Sequence, residues 1–130
     1  MAYALLTPRE NLVTHCPVLI VEDDADLREM MAQLLSLEGF QTAAVANGRE
    51  ALEYLHNGDA PDLILLDLMM PVMDGWQFRR EQKLDADIAD IPLVVITATG
   101  KRPVLIDAAE LVMKPLDLTQ LFAAIERYCE

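Results

Sequence analysis

Five residues could do chemistry together, although they are scattered along the chain: Glu22, Asp23, Asp67, Thr97 and Lys114. Each stands at or just beyond the end of a short apolar run. The first run ends in Glu22-Asp23-Asp24, the third in Asp67, the fourth in Thr97 and the fifth in Lys114-Pro115. An Asp that closes an apolar strand, as Asp67 does, has no cheap structural excuse, because burying a carboxylate costs several kcal/mol, on the order of 2–7 even for a neutral polar group. Three carboxylates in one pocket would repel one another and could not all stay ionised cheaply. A divalent cation resolves the conflict. Oxygen ligands with one or two direct carboxylates suit Mg²⁺, which keeps several waters and accepts phosphate oxygens. Lys114 adds a point charge and Thr97 a hydroxyl. Nucleophile, metal and donors for equatorial oxygens are the parts required to transfer a phosphoryl group to a carboxylate.

For this to work, the folded chain must bring those ends together. Val18–Val21, Leu63–Leu66 and Leu93–Ile96 are wholly apolar runs, suited to strands buried on both faces of a parallel sheet. Gln41–Ala46 and Leu111–Met113 are weaker and suit sheet edges. Between them lie helical patterns. Leu27, Met30, Met31, Leu34 and Leu35 share one face, with Asp24 as cap and Gly39 at the stop. Arg49–Leu55 follows Asn47-Gly48, and Trp76–Leu84 follows Asp74-Gly75. The last helix places Leu118, Leu121, Phe122 and Ile125 on one face, with Asp117 or Thr119 as cap, and its outer face could serve a homodimer. Alternating βα units with right-handed crossovers predict a doubly wound α/β sheet, whose ligands sit beyond the carboxyl ends of the strands.

Composition narrows the function. The 130 residues fit one domain, and 53% of them are hydrophobic, enough for a true core. The net charge of −12 repels nucleic-acid backbones and anionic membranes, and leaves divalent cations and basic protein surfaces as partners. No apolar run has the length of a transmembrane helix and residues 1–16 do not read as a signal peptide, so the expected location is the cytoplasm. Cys16 and Cys129, at opposite ends of the chain, read as two reduced thiols. Asp24 and Asp26 read as helix-start acids, Met69, Met70 and Met73 as packing, and His15 and His56 as isolated residues without a role.

Four stretches carry a resemblance: 18–24 (VLIVEDD), 65–75 (LLDLMMPVMDG), 95–98 (VITA) and 112–115 (VMKP). In this order, each at a predicted strand end, they make residues 18–128 similar to the receiver domain of two-component response regulators. The resemblance implies a CheY-like, flavodoxin-like sheet of five parallel strands in the order 2-1-3-4-5, over a receiver domain at 17–130 preceded by an extension at 1–16. It implies Asp67 as phospho-acceptor and a Mg²⁺ site made by Asp23 directly, Glu22 through water, Asp67 and the backbone carbonyl of Met69. Thr97 and Lys114 would bond the phosphoryl group, with Lys114 before a cis Pro115, and Met69 and Thr99 would flank the approach of water. The implied donor is a histidine kinase or a histidine phosphotransfer protein, with an unnamed downstream protein partner and no direct nucleic acid. The only catalysis expected is the chain's own phosphorylation and dephosphorylation.

Two departures accompany it. The segment from Thr97 to Lys114 is short, so the helix expected there is stunted or lost, with Pro103–Ala108 forming a turn or two. Leu111 stands where the family places Tyr or Phe. These departures raise a second reading, a degenerate receiver that binds proteins without phosphorylation. A third, a Mg²⁺-aspartate hydrolase, lacks a second Asp two residues after Asp67, where Met69 stands.

Overall fold

The computed structural model describes residues 16–58, 60–70, 72–98 and 108–129. Five strands, β1 (Pro17–Val21), β2 (Gln41–Val45), β3 (Leu63–Asp67), β4 (Leu93–Ala98) and β5 (Glu110–Lys114), form one parallel sheet in the order β2-β1-β3-β4-β5. The predicted order 2-1-3-4-5 is the order found, and the two weakest apolar runs occupy the edges. Four helices accompany the strands among the described residues: α1 (Ala25–Leu37), α2 (Gly48–Asn57), α3 (Gly75–Leu84) and α4 (Leu118–Tyr128). The stretch expected to carry a stunted helix, Pro103–Ala108, lies outside the described residues except for Ala108, as do Thr99 and all of the 1–16 extension except Cys16.

The runs are apolar throughout because the central strands are covered twice. Side chains alternate across a strand. Val18, Ile20, Leu63, Leu65, Val94 and Ile96 therefore enter one core layer, with Met31 and Leu35 of α1 and Leu121, Ala124 and Ile125 of α4. Leu19, Val21, Ile64, Leu66, Leu93 and Val95 enter the other, with Ala51 and Leu55 of α2 and Phe78 of α3. Full burial of each Val, Leu, Ile, Met or Phe side chain among these contributes about 1.5–3 kcal/mol.

The helix starts follow local hydrogen bonding. Asp24 accepts from the backbone N–H groups of Asp26 and Leu27, Asn47 from Glu50, and Asp117 from Gln120. Asp74 and Gln77 form a reciprocal capping box. Gly39, just after α1, has φ 98°, where a side chain would be strained.

Two expectations are corrected. Cys16 and Cys129 are joined by a disulfide, with Cα atoms 5.7 Å apart. They are 113 positions apart in sequence, yet the start of β1 and the end of α4 meet in one core layer. His56 is not isolated, since its Nε2 lies 2.9 Å from Asp85 Oδ2 and links the end of α2 to the turn after α3. That turn has a buried anchor absent from the sequence reading. The side-chain amide of Gln82, fully buried, donates to the carbonyls of Ile88 at 2.8 Å and Ile91 at 3.2 Å.

Val72, in the loop after β3, holds φ 69° although it is β-branched. This left-handed conformation costs an L-residue about 1–2 kcal/mol, whereas glycine adds about 0.5–1 kcal/mol of unfolded-chain entropy. Relief of strain should win. Val72→Gly is expected to raise the urea midpoint, by about 1 kcal/mol of stability at most; a midpoint equal to or below wild type would contradict this account of the loop.

Candidate functional site

The register brings the predicted residues together. Val21 pairs with Leu66 and Asp67 with Ile96, so Glu22 follows β1 beside Asp67, and Thr97 is one residue past Asp67's partner on β4. Thr97 in turn pairs with Met113, and Ala98 with Lys114. Glu22 is held in line with the sheet by its N–H, which donates to Val45 O at 3.0 Å. Asp23 leaves the strand and is exposed, whereas Glu22, Asp67 and Thr97 are buried.

One carboxylate oxygen from each of Glu22, Asp23 and Asp67 lies within 4.8 Å of the others. Lys114, beside a cis Pro115, reaches in from β5: its Nζ is 3.5 Å from Glu22 Oε1 and 3.7 Å from Asp67 Oδ2. The backbone N–H of Met69 donates to Asp67 Oδ1 at 3.3 Å. Both oxygens of Asp67 thus face a donor or a cation. Glu22 Oε2 accepts from Asp24 N at 3.2 Å, and Glu22 Oε1 is buried without a hydrogen bond.

Among the described residues, the Lys114 ammonium pairs with Glu22 and Asp67, and three acids converge there, which leaves this cluster short of positive charge. Burial, reinforced by the charge of Glu22, pushes the Asp67 carboxyl up from 3.8 to about 7, although Lys114 pulls it down. An added cation would reverse this, since it favours the ionised carboxylate. The close acid triad, with Glu22 Oε1 buried beside the Lys114 ammonium at 3.5 Å but accepting no hydrogen bond, therefore fits a hard divalent ion held by oxygen ligands.

Arg28 was not singled out from the sequence. Its Nη1 donates to Glu22 O at 2.8 Å and reaches Asp23 O at 3.4 Å, fastening the acidic turn to the first turns of α1. The available signal was a cation six residues after Glu22 on a predicted helix. Gly75 was noted only as part of a turn, yet its N–H donates to Leu68 O at 2.9 Å and sets α3 against the end of β3. Of the methionines, Met70 is buried and Met73 packs on the second core layer, while the Met69 side chain is 64% exposed. Leu111 faces outward on the edge strand, 41% exposed.

Comparison with known proteins agrees with this geometry. The response regulator receiver domain family matches residues 18–126. The chain is 31% identical to sporulation initiation phosphotransferase F of Bacillus subtilis, over 85% of this chain and 91% of that protein. Several other curated relatives are about twice as long, so the chain spans about half of their length. Among solved structures, the receiver domain of a signal transduction histidine kinase from Syntrophus aciditrophicus superposes with a TM-score of 0.81 at 32% identity, covering 88% of this chain and 89% of that one. Response regulator protein TrrA from Thermotoga maritima, solved in complex with Mg(2+)-BeF, has a TM-score of 0.77 at 26% identity, with 87% and 98% covered. With fold, pocket and family match in agreement, the chain belongs to the response regulator receiver domains, the signalling domains of two-component systems that receive phosphoryl groups from histidine kinases or phosphotransfer proteins.

Proposed function

We propose that Asp67 is the phospho-acceptor and that Asp23, Asp67, Glu22 and the Met69 carbonyl hold Mg²⁺. The observation that carries this reading is the convergence of the three acids with Lys114 at neighbouring strand ends. When bound, the ion would neutralise the acid triad and the transferred group's oxygens. An Asp67 oxygen attacks the phosphorus of a phosphohistidine; the P–N bond breaks, and the imidazole leaves with the bonding pair. Lys114 Nζ, already 3.7 Å from Asp67 Oδ2, stabilises the negative charge on the transferred group, and the Thr97 hydroxyl donates to it. Water later attacks the phosphorus of the acyl phosphate; the P–O bond to Asp67 breaks, inorganic phosphate leaves and the Asp67 carboxylate is restored. The donor is a histidine kinase or a histidine phosphotransfer protein in the cytoplasm, and the chain catalyses no step other than gain and loss of its own phosphoryl group. On this reading the domain proper is 17–130.

Incubation with Mg²⁺ and acetyl phosphate is expected to add one phosphate to the intact protein, detected by mass. Asp67→Asn should abolish the adduct, and chelation of Mg²⁺ should prevent it in wild type. An equal adduct in Asp67→Asn, or none in wild type with its own kinase, would overturn the assignment.

A further inference from the structure

The disulfide lies at the other end of the sheet from the acid pocket. Cys16 immediately precedes β1, whose opposite end leads to Glu22, and Cys129 immediately follows α4. At about 3.3 Å per residue, β1 separates the two places by roughly 16 Å. Both cysteines are buried, Cys16 at 3% and Cys129 at 7% exposure. The Cα separation of 5.7 Å matches the usual disulfide spacing of about 5.5–6 Å. No backbone movement is therefore needed to make or break the bond.

We propose that Cys16 and Cys129 are a reversible oxidation site, a dithiol that a disulfide-class oxidant such as oxidised glutathione converts into a clasp between the first strand and the last helix. Entry is at Cys129. It caps a helix end, and terminal helical turns open locally far more often than core strands do. The Cys129 thiolate attacks a sulfur of oxidised glutathione and one glutathione thiolate leaves. The Cys16 thiolate then attacks the Cys129 sulfur of the mixed disulfide, and the second glutathione leaves. Two cysteine thiols are oxidised and one glutathione disulfide is reduced to two thiols, which carry away the two protons. The bond closes a loop spanning almost the whole chain, the case in which a cross-link most restricts the unfolded state.

Residues beside the clasp say where its effect goes. Tyr128 donates its hydroxyl to Ala109 O at 3.0 Å, and Arg127 pairs with Glu110. The last turn of α4 is thus tied on one side to β5 and on the other, through sulfur, to β1. Reduction should loosen this turn and leave the pocket chemistry unchanged.

The test equilibrates the full chain with either dithiothreitol or excess oxidised glutathione, then unfolds and alkylates it. Two alkyl groups are expected after dithiothreitol and none after oxidised glutathione, with a monomeric product carrying no glutathione. The oxidised form should melt roughly 10 °C higher, and amides of α4 should exchange with deuterium more slowly, while phosphate uptake from acetyl phosphate stays the same. Cys129→Ser should lose every redox response. Persistence of both thiols in oxidised glutathione, products confined to mixed or intermolecular disulfides, or equal α4 exchange in the two states would overturn the proposal. The wild-type alkylation result stands even if the serine variant does not fold.

Discussion

Metal-free protein should lose stability as pH rises from about 4 to about 7, and Asp67→Asn should cancel that loss. The Asp67 carboxyl is raised from 3.8 to about 7, first by burial and then by Glu22, against the pull of Lys114. A raised acid works in the opposite sense to a salt-bridged one. Below 3.8 both folded and unfolded chains hold the proton, so there is no penalty. Between 3.8 and about 7 the unfolded chain gives up the proton while the folded chain keeps it. Stability then falls with pH because the folded state binds more protons. Above that window both forms are ionised and the penalty is complete. The shift of about three units sets a ceiling of about 4 kcal/mol, at 1.36 kcal/mol per unit.

Asparagine keeps the shape without the charge. At pH 8 without metal, Asp67→Asn is expected to be more stable than wild type by about 2–4 kcal/mol in urea unfolding, and at pH 4 the two should be nearly equal. Added Mg²⁺ should raise wild type toward the variant at pH 8, because a ligand that binds only the folded state stabilises it. A stability difference independent of pH would show that the pocket does not store this charge conflict. If Asp67 is the phospho-acceptor, as proposed, that group is maintained at a cost in stability, which bound Mg²⁺ would offset.

The second large effect concerns Gly75, which positions the pocket without touching it. A Cβ there would lie 2.7 Å from Leu68 Cδ2, 2.8 Å from Leu68 Cα and 3.2 Å from Asp67 O. Two of those atoms are backbone and cannot rotate away. Alanine would gain up to about 1 kcal/mol in helix propensity, but overpacking of this kind costs typically about 1–3 kcal/mol and sometimes more. The clash wins. Gly75→Ala should lower stability by about 2 kcal/mol net, read as a lower urea midpoint, and should weaken Mg²⁺ binding followed by Trp76 fluorescence. A midpoint and a Mg²⁺ affinity both equal to wild type would show that α3 can shift without disturbing the end of β3. Gly48 differs in kind, since two of the three atoms crowding its Cβ position belong to the flexible Met73 side chain.

Much of this was legible before any coordinates. Leu63–Leu66 reads as a doubly buried strand because alternate residues must serve two cores, and all four are fully buried. Asp24 reads as a cap, and Asp117 as one of two candidates with Thr119, because a short acceptor beside free N–H groups is a local matter, settled within three residues; Asn47 and Asp74 read only as turn residues, and the structure makes both of them caps as well. Asp67 stood out as an acid that an apolar strand would not carry idly.

Other features belong to the folded chain alone. The disulfide, the His56–Asp85 pair, the clamp of Arg28 on two carbonyls and the buried amide of Gln82 depend on which surfaces meet. The strain at Val72 and the crowding at Gly75 depend on how closely a loop approaches its neighbours. Residue type and spacing along the chain thus determined the strands, most of the helix starts and the set of candidate reactive groups, because these follow from local hydrogen bonding and the alternation of side chains. Strand order and register decided the rest: they set the 3.5 Å and 3.7 Å reach of Lys114 to two acids from distant segments, and separations between side chains far apart in sequence exist only once the sheet has formed.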